Sequence, residues 1–190
     1  MNRRKYFKAV ISLGMAFTSW RVAAYLDVKS SFIKEDLWMK RAIIAELAEM
    51  IIPKTETIGA KAASVEVYII RVILNCNSTW QQHRFLSGIK DLEEYAEHAF
   101  GLDFMHCCER DRLKVLERFS QRKSLSFGPL NKVQLRIFGP RFFEKLKTLT
   151  VEGYCQSMLG ATQGLSYDAV PGAYLSCTSL TSSQKSWATK

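Results

Sequence analysis

The residues with the widest chemical repertoire in this chain are His83, His98 and His106, five cysteines, and a few neighbouring carboxylates. Two histidines make a metal site only if both rings reach one point. His83 and His98 fall on one helical pattern fifteen residues apart, about 22 Å at 1.5 Å rise per residue, so they cannot share an ion. His106 stands beside Cys107, but neighbouring side chains diverge on a helix, and a structural or surface histidine is the simpler reading. The pairs Glu93 with Glu94 and Asp103 with Asp111 fall at exposed or capping positions, which suits solvation better than acid–base work.

The cysteines, Cys76, Cys107, Cys108, Cys155 and Cys177, match neither a zinc spacing nor a CxxC redox pair, and their odd number leaves at least one thiol free within the chain. The adjacent Cys107 and Cys108 are expected on different faces of a helix, one in the core and one near the surface. Cys155 and Cys177 lie in the same C-terminal region and form a candidate disulfide in an exported chain. The ten glycines never form GxGxxG, so no turn is offered for a dinucleotide pyrophosphate. CxxCH, phosphate-loop, HExxH and GxSxG patterns are absent as well. No cofactor is therefore expected on this chain.

The elements that would position these groups are helical. From Glu35 to Ile52, Leu37, Ile43, Ile44, Leu47, Met50 and Ile51 recur at helical spacing, and Pro53 stops the run. Ala60 to Leu74 restores the period through Val65, Ile69, Val72 and Ile73. Thr79 followed by Gln82 has the form of a capping box, ahead of a stripe of Phe85, Ile89, Leu92, Ala96 and Phe100 that Gly101 ends. A fourth helix after Asp103 carries Leu113, Leu116 and Phe119, with Glu109, Arg110, Arg112, Glu117 and Arg118 on a solvated face. Gly128-Pro129 and Gly139-Pro140 break the pattern, leaving Val133 to Phe138 as a short helix or an extended piece. A fifth helix from Arg141 to about Leu159 carries Phe142, Leu146, Leu149 and Met158. Five helices without alternating strands predict an all-α single domain. Beyond it the glycine- and tyrosine-containing loop to Tyr174 follows no core-packing pattern, and the Ser/Thr-rich end is expected to fray.

The formal charge of +9 falls to +4 once Arg3, Arg4, Lys5, Lys8 and Arg21 are set aside. The remaining body has no dense Lys/Arg stripe with interleaved aromatics, so no nucleic acid is expected as a partner. Residues 1–27 have the layout of an export signal: a basic start, then the apolar run Ala9 to Phe17, too short for a spanning helix of about 20 residues. Asn2-Arg3-Arg4-Lys5-Tyr6-Phe7-Lys8 resembles the twin-arginine export consensus, with Tyr6 in place of the usual Phe or Leu. Arg21 sits late in the segment and Val22-Ala23-Ala24 is an imperfect cleavage pattern, so a retained N-terminal anchor is the alternative. Residues 28–180 then form the helical body, and 181–190 a flexible tail.

Across that body a family resemblance emerges. Ile51-Ile52-Pro53-Lys54-Thr55, Gly59-Ala60, Phe85-Leu86-Ser87-Gly88-Ile89, Phe142-Phe143 with Leu146-Lys147, Leu149-Thr150 and Gly153-Tyr154, and finally Tyr167 with Val170-Pro171-Gly172-Ala173-Tyr174 resemble, in order and spacing, the gluconate 2-dehydrogenase subunit 3 family over roughly residues 35 to 180. The resemblance implies a small, non-catalytic subunit of a periplasmic dehydrogenase. Its partner would be a large FAD-dependent flavoprotein of the glucose-methanol-choline type that oxidises sugars, glycosides or sugar acids and passes electrons to a cytochrome c or a membrane quinone. The small subunit would help that partner mature and escort it to the twin-arginine translocase. On this reading Tyr154, Tyr167, Pro171, Gly172 and Tyr174 form the partner interface, since tyrosine buries much area at modest entropy cost. The alternative for Tyr154 and Tyr167 is that they cap the helical core. A free-standing helical interaction module at the membrane surface is the competing function.

Overall fold

A computed structural model describes residues 33–121, 141–170, 172, 177, 179 and 182–188. Arg3 and Arg4, the rest of the export-like segment, the Val133 to Phe138 run, Pro171 and Tyr174 lie outside the described residues. Within them the chain is all-α. Helical residues 33–39 lead through a turn at Lys40 into α1 (Arg41–Ile51), followed by α2 (Val65–Cys76), α3 (Thr79–Phe100), α4 (Glu109–Ser120) and α5 (Phe142–Gln156). The Lys40 turn keeps its hydrogen bonds, Lys40 N to Asp36 O at 3.1 Å and Ile44 N to Lys40 O at 3.0 Å, so the expected Glu35–Ile52 helix is bent, not broken.

α5 is the centre of the domain and contacts each of the other four helices. Its inward residues, Leu146, Leu149, Thr150, Gly153 and Tyr154, step by three and four and so share one face. They meet Ile44 and Leu47 of α1, Val65, Ile69 and Ile73 of α2, and Phe85, Ile89 and Leu92 of α3 in one continuous core. Thr150 tolerates burial there because its hydroxyl donates to Leu146 O at 2.8 Å. Phe142, at the start of α5, packs its ring 5.2 Å from that of Phe85 and 6.4 Å from that of Phe119, which joins α3, α4 and α5.

Three local expectations need correction. The capping box sits one residue earlier than Thr79 and Gln82: Ser78 is the N-cap and Gln81 its reciprocal partner. Gln82 turns inward instead, and its amide donates to Leu74 O at 2.9 Å and Asn77 O at 3.0 Å, satisfying carbonyls at the end of α2. Cys107 and Cys108 lie ahead of α4, beyond a 3-10 turn at Phe104–His106, although Cys107 is indeed buried and Cys108 exposed. Met158 is 76% exposed, since α5 ends at Gln156 and the backbone leaves the apolar face there. Gly101 does end α3, in the left-handed conformation at φ 68° that a side chain would strain.

Candidate functional site

One end of the domain is built from two irregular segments that meet over the last turn of α5. The first is the loop after α1. Pro53 has no N–H to continue the helix, and the chain returns so that Ala60 N reaches Ile52 O at 3.0 Å. Glu49, still on α1, spans this loop from beneath: its carboxylate accepts from Lys54 N at 3.0 Å and from Lys61 N at 2.8 Å. Gly59 lies so close to that carboxylate that any side chain would collide with it. The outer residues Pro53, Lys54, Thr55 and Glu56 stay exposed. The loop ends at Ser64, whose left-handed φ of 53° sets the chain into α2.

The second segment is the strap that follows α5. Ser157 closes the helix, its N–H reaching Gly153 O at 3.0 Å and its hydroxyl donating to Tyr154 O at 2.8 Å while accepting from Gly160 N at 2.9 Å. A wide turn, Gly160–Gly164, then wraps Tyr154. A side chain on Gly160 would strike the Tyr154 carbonyl, and one on Gly164 would come within 2.7 Å of the Tyr154 hydroxyl oxygen. Further on, Ser166 N donates to Ser186 O and accepts through its own carbonyl from Ala188 N, both at 2.8 Å, and Lys185 Nζ donates to Gln163 O at 2.6 Å. Part of the Ser/Thr-rich end expected to fray thus lies against the strap.

Tyr154 links the two segments. It is 7% exposed, and its hydroxyl donates to Ile58 O of the loop at 2.8 Å. For this residue the core-capping alternative holds: its area is already buried inside the domain and little is left to offer a partner. Tyr167, at 51% exposure, and Gly172 lie at the surface. Cys155 is half-buried and Cys177 exposed, and both are free thiols, so the candidate disulfide is not formed in this structure. The strap leaves apolar area open: Met158 at 76%, Tyr167 at 51%, Val170 at 81% and Trp187 at 61% fall within one short stretch and its paired tail. Sequence reasoning missed Glu49, Ile58 and Gly164, and read Gly160 only as the end of the fifth helix, which in fact stops at Gln156. The glycines four apart after a tyrosine were a usable signal, whereas a single glutamate on a helix carries none.

Elsewhere the titratable groups are engaged structurally. Glu46 accepts from Lys61 Nζ and from Arg112 at 3.2 Å, so Arg112 belongs to an ion pair between α1 and α4, not to a solvated face. Glu93 pairs with Lys40 at 2.6 Å, and the buried Glu66 with Arg41 at 2.8 Å. Burial pushes the Cys107 thiol up from its ordinary value, with the Asp111 and Asp103 carboxylates adding to the effect. Lys114 and Cys108 hydrogen-bond Asp111 and hold its carboxyl below the usual range. His98 and His106 are exposed. Among the described residues no three His, Cys, Asp or Glu side chains gather as a metal site, and no helix is long and apolar enough to cross a membrane. A groove of about 720 Å³ lined by Trp80, Arg84, Asp91, Arg141 and Phe143 opens where α5 begins, about 20 Å along that helix from the strap.

Fold and site together define a small helical protein whose least regular end carries several exposed apolar side chains. The family described as gluconate 2-dehydrogenase subunit 3 matches residues 39–172, well over half of the chain, and the chain belongs to that family. The family is named for a subunit of a multi-subunit dehydrogenase. No curated protein matches the chain, and no solved structure does.

Proposed function

We propose that this chain is a non-catalytic small subunit that binds a large FAD-dependent dehydrogenase of the glucose-methanol-choline type, helps it mature and escorts it through twin-arginine export. The partner carries the flavin and oxidises a sugar, glycoside or sugar acid, with a cytochrome c or a membrane quinone as electron acceptor. The complex works in the periplasm, close to the membrane. The observation that carries this reading is the strap of a family member: Met158, Tyr167, Val170 and Trp187 leave large apolar surface open. Such residues supply the central anchors of protein interfaces, where burying a large side chain contributes most of the affinity. A strap tied down by Tyr154 and by the Ser166 pairing offers those anchors with little ordering cost.

Co-expression with a large FAD-dependent dehydrogenase of that type from the same genome tests the proposal. Deleting this chain is expected to leave the flavoprotein unexported and inactive, and a soluble, exported, active flavoprotein without it overturns the reading. Substituting lysine for both Arg3 and Arg4 is expected to block export while the purified body melts as before, because the address is read by a receptor and not by bulk charge.

A further inference from the structure

Resting on that reading, we propose that the partner also seats on the exposed loop 53–57, and that Glu49 and Tyr154 are positioning residues that hold loop and strap as one docking surface. The loop is open to solvent at residues 53–56 and tied to the domain from its inner side. The N–H groups of Lys54, Thr55, Ala60 and Lys61 all find acceptors within the chain, two of them on the single carboxylate of Glu49. Ile58 O is taken by the Tyr154 hydroxyl, on which Gly164 packs, while Gly160 lies against the Tyr154 backbone carbonyl. The strap therefore packs over the one phenol that holds the loop.

Composition indicates what the surface meets. The strap side is apolar, with Met158, Tyr167, Val170 and Trp187. The loop side is polar and balanced, with Lys54 against Glu56, and the strap adds Asp168 and Lys185. An apolar centre flanked by balanced charges is the pattern of a folded protein interface. An anionic membrane would call for an excess of lysine and arginine. The occupant is accordingly the flavoprotein subunit, with the loop at the rim and the strap at the centre.

The test uses the full chain and the flavoprotein with which it is co-expressed, with affinity measured beside the melting temperature of the free subunit. Lys54→Glu and Glu56→Lys are each expected to weaken the complex about five-fold or more without changing the melting temperature, as rim charge reversals do. Tyr154→Phe is expected to weaken it about ten-fold, because an unfixed loop must be ordered on binding. Combined with Glu56→Lys, Tyr154→Phe is expected to cost less than it does alone, a coupling that a merely structural tyrosine would not show. If Tyr167→Ala weakens the complex while the loop reversals do not, the partner uses the strap alone and this inference falls, with the proposed function intact. If the unaltered chain does not bind the flavoprotein, or binds anionic vesicles in its place, both fall.

Discussion

Tyr154 offers the sharpest test of how this domain is held together, because its two parts do separable work. Tyr154→Phe removes only the hydroxyl that donates to Ile58 O at 2.8 Å. A hydrogen bond of this kind contributes about 1 kcal/mol net, which for a domain of this size lowers the melting temperature by about 2–4 °C. Tyr154→Ala also removes a side chain whose residue is 7% exposed and whose ring packs closely against Gly164. Emptying such a site costs roughly 3–5 kcal/mol, or about 10 °C or more. The loss also releases the strap from what it wraps, so chymotrypsin should cut near Leu165 and Tyr167 much faster in Tyr154→Ala. The assay is thermal unfolding followed by circular dichroism, with timed proteolysis read by mass spectrometry. An alanine variant that melts within about 2 °C of the parent, or whose strap is no more readily cut, would refute the claim that Tyr154 anchors the strap.

Gly88→Ala is expected to destabilise by about 1–3 kcal/mol, because a methyl there overlaps the root of the Phe142 side chain, which has no free end to swing away; a denaturant midpoint measures it. Gln82→Ala should cost about 1–2 kcal/mol and speed hydrogen exchange at the end of α2, since the carbonyls of Leu74 and Asn77 lose their amide donor. Cys107 should alkylate well after the exposed Cys76 and Cys108 in native protein. Because its thiol is pushed above the ordinary 9.0 by burial, its contribution to stability is complete below that value and is lost as pH rises through the higher folded value. Melting temperatures of the parent and of Cys107→Ala should therefore converge on raising the pH above 9, and parallel curves would count against the shift.

Much of this protein was determined by sequence alone, wherever one helix decided the outcome. The three- and four-residue spacing of Leu146, Leu149 and Gly153 with Tyr154 marks a buried face whatever it packs against. Gly101 and Pro53 end helices for reasons confined to their own backbones. The ordered motifs from Ile51 to Tyr174 pointed to the family that the match over residues 39–172 establishes. Other outcomes depended on contacts between residues far apart in the chain. Whether Ser78 or Thr79 caps α3 turned on Gln82 having acceptors at the end of α2. Whether Tyr154 faces a partner or the core turned on Ile58, ninety-six residues away. Glu49 had no local pattern to reveal it, because its two acceptor oxygens matter only once the loop folds back over them. Spacing along a helix specifies which side chains share a face, but it carries no information about which distant backbone group will lie opposite, and that is decided only when the other four helices close on α5.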